Sequence, residues 1–153
     1  MAMIHEMLYQ SDQLSRIEFE VYAKALINNI IETMSPNSEK ISLEIESQEI
    51  FLNLDTAIPL ALIVNEIATN ALKYGISNMD NGKIFLKLDQ DEEKQFHMII
   101  GDNGPGMDQS KFDLSRQSLG MMLIKNLSLQ IQGKIELMDT DKGTVYKLVF
   151  REV

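Results

Sequence analysis

The chain of 153 residues has no cysteine, no tryptophan, three prolines and two histidines, His5 and His97. Without cysteine there is neither a disulfide framework nor a thiolate metal site. Two histidines so far apart leave a zinc centre and Ser-His-Asp chemistry short of their parts. No apolar run reaches the roughly eighteen residues that a membrane-spanning helix needs, and no signal-peptide pattern opens the chain. Positive charge is also scarce, with 14 Lys and Arg against 23 Asp and Glu and a net charge of −9. Binding to a nucleic-acid backbone needs a basic surface, so no nucleic-acid partner is expected. The expected location is cytoplasmic with no membrane contact, any membrane association being left to a longer parent protein.

What remains is the composition of a soluble globular domain, 44% apolar and 24% charged, long enough to bury a core. Ser15 to Glu18 fits a capping box, and Ile17, Val21, Tyr22, Ala25, Leu26 and Ile30 recur at helical spacing to about Met34, where Ser35-Pro36-Asn37 ends the helix. Ile41-Leu43-Ile45 and Ile50-Leu52-Leu54 alternate as strands and predict a hairpin. Asp55 or Thr56 caps the central helix, with Pro59 in its first turn. A Gly75–Gly82 loop leads to the alternating strands Ile84-Leu86-Leu88 and Phe96-Met98-Ile100. After a polar stretch, Ser118-Leu119-Gly120 opens a helix to about Ile131, ended by Gly133. Strands over 134–138 and 144–150 complete the chain. About six strands and three helices, clustered rather than alternating singly, predict an α+β two-layer sandwich. Neither phosphate-binding glycine turn of the doubly wound folds is present.

The chemistry concentrates in two stretches. In Asn65-Glu66-Ile67-Ala68-Thr69-Asn70-Ala71-Leu72-Lys73-Tyr74-Gly75, roughly 100° per residue puts Glu66, Asn70 and Lys73 within an arc of about 60°. Leu60, Ile63, Val64, Ile67, Ala68 and Ala71 fall on the other side. A narrow line of carboxylate, carboxamide and amine differs from an ordinary solvated face, which spreads its charges more broadly. Asn70 offers a neutral carbonyl oxygen to a hard cation, Glu66 can orient a water or stand near the metal, and Lys73 can meet a phosphate as a point charge. The second stretch, Asp102-Asn103-Gly104-Pro105-Gly106, follows a strand. Its carboxylate can accept from the exocyclic amine of adenine, while the glycines admit a flat ring close to the backbone. The plain alternative is an unliganded turn, since every residue there is turn chemistry. Together the stretches describe a pocket for a magnesium-bound nucleotide. In so acidic a chain, Lys73, Lys111 and Arg116 are the obvious sources of local positive charge.

Ser118-Leu119-Gly120 would offer free N–H groups to phosphate at a helix start, or else is a simple Ser cap followed by a glycine. Met121, Met122, Leu123, Ile124, Leu127 and Ile131 read as core, and the ten methionines as packing.

The order NEIATNALKYG, DNGPGM, SLGMMLIKNLSLQIQGKIEL and GTVYKLVF resembles the ATP-binding domain of sensor histidine kinases, in the superfamily that includes DNA gyrase, MutL and a heat-shock chaperone. The resemblance covers about Pro59 to Phe150 and extends more loosely to IHEMLYQSDQLSRIEFEVYAKAL, which is similar to the exit from the dimerisation helices in one subfamily. Glu66, four residues before Asn70, fits a subfamily with Glu where many such kinases have Asn. The resemblance implies the histidine kinase-like ATPase form of the α+β sandwich, with a mixed, mostly antiparallel sheet packed on about three helices. It implies ATP and Mg2+, with Asn70 on the metal, Glu66 near it, Lys73 on phosphate and Tyr74 lining the pocket. Asp102 would read the adenine amine between Gly104 and Gly106, with Met107 beginning a short lid to Gln117. Ser118, Leu119 and Gly120 would lie at the phosphate end, and Thr144 would support Asp102 through water.

Residues 1–14 are then expected to be a remnant of the dimerisation hairpin and 15–153 the catalytic domain. Neither histidine has a phosphoacceptor setting, so the implied acceptor lies on a separate dimerisation domain, and the implied downstream partner is a response regulator. The leading expectation is transfer of the ATP γ-phosphoryl group to histidine. Alternatives are a serine kinase of the anti-sigma type, a hydrolytic ATPase using Glu66, and a binding module without catalysis.

Overall fold

The computed structural model describes residues 16–35, 38–76, 79–105, 114–138, 140 and 142–153, with the side chains of Ser38 and of 114–118 left out. In chain order the elements are β1 (Arg16–Glu18), α1 (Phe19–Met34), β2 (Ile41–Ser47), β3 (Phe51–Asn53), α2 (Leu54–Ala71), β4 (Gly82–Gln90), β5 (Phe96–Asp102), α3 (Leu114–Gln130), β6 (Lys134–Leu137) and β7 (Val145–Phe150).

Alternation builds the sheet. Ile84, Leu86 and Leu88 on β4 face the same side as Met98 and Ile100 on β5, with Leu86 opposite Ile100 and Leu88 opposite Met98. Tyr146, Leu148 and Phe150 on β7 extend that apolar side across Ile100, Met98 and Phe96. Five strands run in the order β2-β4-β5-β7-β6, parallel between β2 and β4 and antiparallel elsewhere. The three helices cover the apolar side, and their buried residues join those of the strands in one core. This is the two-layer sandwich expected, with a mixed, mostly antiparallel sheet. Among the described residues no helix is long and apolar enough to cross a membrane.

Four local expectations are corrected. The hairpin over 41–54 does not form: β2 lies beside β4, while β3 pairs antiparallel with β1 in a separate two-stranded ribbon. Alternation fixes which face of a strand is buried, not which neighbour it bonds. Gln48 stays tied to β4, its N–H donating to the Leu88 carbonyl at 3.2 Å and its Oε1 accepting from Gln90 N at 3.1 Å. The chain has no room to fold back before Ile50.

Arg16 to Glu18 are strand rather than the start of a capping box, because Ile17 is needed in the core and the Phe19 N–H is taken by the Ile50 carbonyl at 3.0 Å. The cap of α2 is Asn53 rather than Asp55 or Thr56: its side chain accepts from Thr56 N at 2.9 Å. At the far end of α3 the left-handed residue is Gln132 (φ 52°), not Gly133. Gly133 is required for closeness instead, since a Cβ there would stand 3.1 Å from Leu148 Cδ1 and from two backbone oxygens.

Residues 151–153 brace this framework. Glu152 accepts from Asn53 N at 2.7 Å and pairs with Arg16 at 3.2 Å, and Val153 N donates to Thr56 Oγ1 at 2.8 Å. The start of the helix that carries Glu66 and Asn70 is thereby pinned to the end of β7.

Candidate functional site

Helix α2 buries Leu60, Ile63, Val64, Ile67, Ala68 and Ala71, which turns Glu66 and Asn70 to its half-exposed side. Asn70 Nδ2 donates to Glu66 Oε1 at 3.3 Å. The donor end of the amide is thus used on the carboxylate, and the carbonyl end is turned away from it. After Ala71 the helix widens into a π turn over Leu72–Ile76, with the Leu72 N–H shared between the carbonyls of Ala68 and Thr69. Such turns advance less per residue than an α-helix and recur at functional sites. Lys73 and Tyr74 lie in this turn, both exposed, so the helical angle predicted for Lys73 does not carry past Ala71.

The π turn brings Gly75 over the end of β5. A Cβ at Gly75 would lie 3.5 Å from Asp102 Oδ1. One at Gly104 would lie 2.9 Å from the same oxygen and 3.3 Å from the Gly75 carbonyl carbon. Asp102 is 6% exposed, and Gly104 N donates to its Oδ1 at 2.8 Å. Burial pushes the Asp102 pKa above the ordinary carboxylate range, partly offset by backbone N–H groups of Gly104 and Thr144. Among the described residues no cation pairs with it, and a carboxylate buried in that way is costly, which marks it as a candidate for function. The backbone carbonyl of Thr144, just before β7, accepts from Asp102 N at 3.0 Å. Gly143, with φ of 78°, passes so close to the Asp102 carbonyl that no side chain fits there.

Helix α3 closes the other side. Its N-terminus is at Leu114, so the helix start expected at Ser118 is corrected: residues 118–120 lie beyond the first turn, where N–H groups bond within the helix. Gly120 matters for a different reason. A Cβ there would meet Glu66 Oε1 at 3.1 Å and Asn70 Nδ2 at 3.8 Å, so this glycine lets α3 pass directly across the polar line of α2. Leu119 is 70% exposed on the neighbouring face.

Residues 55–153 match the sequence model of the histidine kinase-, DNA gyrase B- and HSP90-like ATPases. The chain belongs to that family. Residues 1–34 match a second model, described as histidine kinase. The chain is 26% identical over 149 residues to a blue-light-activated histidine kinase of Brucella anthropi, covering 92% of this chain and 28% of that protein. It is 23% identical over 125 residues to an anti-sigma F factor of Shouchella clausii, covering 75% of this chain and 74% of the relative. Among solved structures, the histidine kinase domain of a blue-light activated kinase from Erythrobacter litoralis superposes with a TM-score of 0.74 at 19% identity, covering 88% of this chain and 61% of that one. The catalytic domain of the histidine kinase ThkA gives 0.69 at 14% identity, covering 90% and 95%. The chain spans about a third or less of the length of the blue-light kinases it matches.

Within this ATPase fold, Glu66, Asn70 and Gly120 meet where α2 and α3 cross, while Asp102, Gly104 and Thr144 meet at the ends of β5 and β7. Lys73 and Tyr74 flank the join between the two groups. Gly106, Met107 and Lys111 lie outside the described residues, and the side chains of Arg116 and Ser118 are not described.

Sequence reasoning missed Tyr146. It is 5% exposed on β7, its pKa raised by burial and then by the negative charges of Asp102 and Glu66. One side chain thus feels both halves of the site. The available signal was a tyrosine, with its polar hydroxyl, at an inward position of β7 that alternates with Leu148 and Phe150. Gly75 was read only as a loop start, because the π turn that lifts it over Asp102 leaves no mark in hydrophobic periodicity.

At the α2–α3 crossing, the Glu66 carboxylate and the Asn70 carbonyl oxygen are the groups that could hold a hard cation. No group of three or more His, Cys, Asp or Glu able to hold a metal occurs among the described residues.

Proposed function

We propose that this chain binds ATP with Mg2+ and transfers the γ-phosphoryl group to a histidine on the dimerisation domain of the same kinase. The observation that carries the reading is the buried Asp102 carboxylate, flanked by the close-lying Gly75 and Gly104 backbone and joined by the π turn to the helix of the Glu66–Asn70 pair. Adenine presents an exocyclic amine to such an acceptor; guanine presents a carbonyl oxygen, which the carboxylate repels.

Asn70 would hold the cation through its carbonyl oxygen, with Glu66 orienting a water beside it. Magnesium, when bound, would neutralise charge on the phosphates. Lys73 would add a mobile positive charge, and Gly120 would keep the α3 backbone near the phosphate end together with Ser118 and Leu119. Tyr74, Gly106 and Met107 would border the base, and Thr144 would steady Asp102. These residues position and neutralise rather than react covalently, as phosphoryl transfer requires. In this reading residues 1–14 leave a dimerisation hairpin, 15–153 form the catalytic unit, and a cytoplasmic response regulator receives the phosphoryl group downstream.

Calorimetry with ATP and GTP, each with and without Mg2+, tests the binding half. Magnesium-enhanced ATP binding and weak GTP binding are expected; equal affinity for the two purines refutes the assignment of Asp102.

The match to an anti-sigma F factor favours a second reading, a serine kinase acting on a partner protein. The match of residues 1–34 to a histidine kinase model stands against it. Acid separates them, because phosphohistidine hydrolyses at low pH and phosphoserine survives. Acid-stable label on the acceptor would decide for the serine kinase.

A further inference from the structure

The pairing of β5 with β4 changes character one residue after Asp102. Asn103 N donates to the Lys83 carbonyl at 3.1 Å, as in an ordinary antiparallel pair. The return bond differs: Lys83 N donates to the side-chain Oδ1 of Asn103 at 2.7 Å, where a regular ladder would use the main-chain carbonyl. With the carboxamide in its place, the main chain leaves the ladder and turns, so that Gly104 N comes back to Asp102 Oδ1 at 2.8 Å. The other end of the side chain is used as well, Nδ2 donating to the Asn81 carbonyl at 2.9 Å. The partners fix the orientation of the amide, since Lys83 offers it an N–H and Asn81 a carbonyl.

Asn103 thus ties the turn after β5 to the segment that leads into β4. That segment lies against the π turn: Met79 N donates to the Ile76 carbonyl at 3.0 Å, and a Cβ at Gly82 would stand 3.1 Å from Ile76 Cβ. A Cβ at Gly104 would stand 3.2 Å from Ile76 Cγ2. Ile76 is fully buried between the two segments, and it follows Gly75, which lies over the Asp102 carboxylate.

We infer that Asn103 is a positioning residue for the purine end of the site: its side chain, bonded to Lys83 and Asn81, sets the turn that aims the Asp102 carboxylate and seats the π turn beside it. It acts through Asp102 and touches no ligand itself. The position calls for a carboxamide, which carries an acceptor and a donor on one planar group. An aspartate there would keep the bond from Lys83 N but set its second oxygen against the Asn81 carbonyl. This inference rests on the nucleotide reading above, and its test separates the two.

The whole chain and its Asn103→Ala variant are titrated calorimetrically with Mg-ATP and with Mg-GTP. With Asp102 no longer aimed, ATP affinity should fall about three- to tenfold, while GTP affinity stays level or rises. A role confined to stability would lower the melting temperature and leave the ATP-over-GTP ratio at its wild-type value. An unchanged ratio therefore overturns the inference. The Gly104 amide proton gives a second reading in 15N–1H spectra: its carboxylate partner shifts it downfield in the wild type, and it should move upfield in Asn103→Ala. A resonance that stays in place also overturns the inference. Should Asn103→Ala fail to fold, Asn103→Asp decides by the same ratio. Its added negative charge favours an amine over a carbonyl oxygen, so a fallen ratio there comes from lost aim and not from charge, and an unchanged one overturns the inference. If the wild type itself binds neither nucleotide, or binds both alike, the nucleotide reading falls and the inference falls with it.

Discussion

Replacing Asp102 with asparagine separates what this carboxylate does for a ligand from what it does for the fold. Its Oδ1 accepts the Gly104 N–H at 2.8 Å, and in the proposed reading the other oxygen would accept from a purine amine. Asparagine keeps the shape but makes one of the two positions a donor. The lower-energy orientation keeps the carbonyl oxygen on Gly104 and turns the amide nitrogen to the pocket, where it repels the incoming amine. A hydrogen bond to a charged group is lost, about 1.5–3 kcal/mol, or roughly 10- to 150-fold in ATP affinity.

The free protein should respond in the opposite sense. Burial raises the Asp102 pKa above its unfolded value. A carboxyl group so raised contributes stability that is fully present below the unfolded pKa and is lost as pH rises through the folded pKa. At neutral pH the ionised side chain therefore works against folding, and Asp102→Asn removes that penalty. Calorimetric titration should show the affinity loss. Thermal melts should show a melting temperature equal to or above wild type at pH 7, with any gap narrowing toward pH 4. Unchanged ATP affinity refutes the purine role, and a variant clearly less stable at pH 7 refutes the desolvation argument.

Asn70→Asp places a second carboxylate within reach of Glu66 Oε1, now 3.3 Å from the amide nitrogen, and should change the Mg2+ dependence of binding more than the metal-free affinity. Identical metal titrations would remove Asn70 from the cation site. Gly120→Ala gains about 1 kcal/mol of helix propensity while its Cβ presses on Glu66 Oε1 at 3.1 Å. A melting temperature at or above wild type is therefore expected together with weaker Mg-ATP binding, and undiminished binding would argue that α3 does not border the phosphates. With γ-labelled ATP, His97 should stay unlabelled, because its Nε2 is paired with Asp91 Oδ2 at 2.8 Å in the β4–β5 turn. Stoichiometric label on His97 would overturn the separate-acceptor reading.

The sheet centre was legible because Ile84, Leu86, Leu88, Met98 and Ile100 must share a face whatever they pair with. Pairing itself was not. The ribbon of β1 and β3 depends on Arg16, which donates to the Phe51 carbonyl at 2.8 Å and pairs with Glu152, 136 residues away. No window of the sequence contains that relation. Capping signals failed for a related reason. Ser15 and Glu18 have the right spacing for a box, but the demand for Ile17 and Phe19 in the core outweighs a cap worth about 1 kcal/mol.

The site divides along the same line. Glu66 and Asn70 are one helical turn apart on a single element, so arithmetic on the sequence was enough to align them. Asp102 lies on another element, and what brings it to that helix is a π turn and the close approach at Gly104, where a Cβ would stand 2.9 Å from its Oδ1. Closeness between segments is a property of packing, and a one-dimensional pattern registers it only as small residues of unstated purpose. Tyr146 is the sharper case. From the sequence it is a large residue in a strand; only the packing of α3 on β7 sets its hydroxyl 3.7 Å from Met121 Sδ. Groups that share one element can thus be read from spacing, whereas those that meet across elements emerge only once the elements are packed.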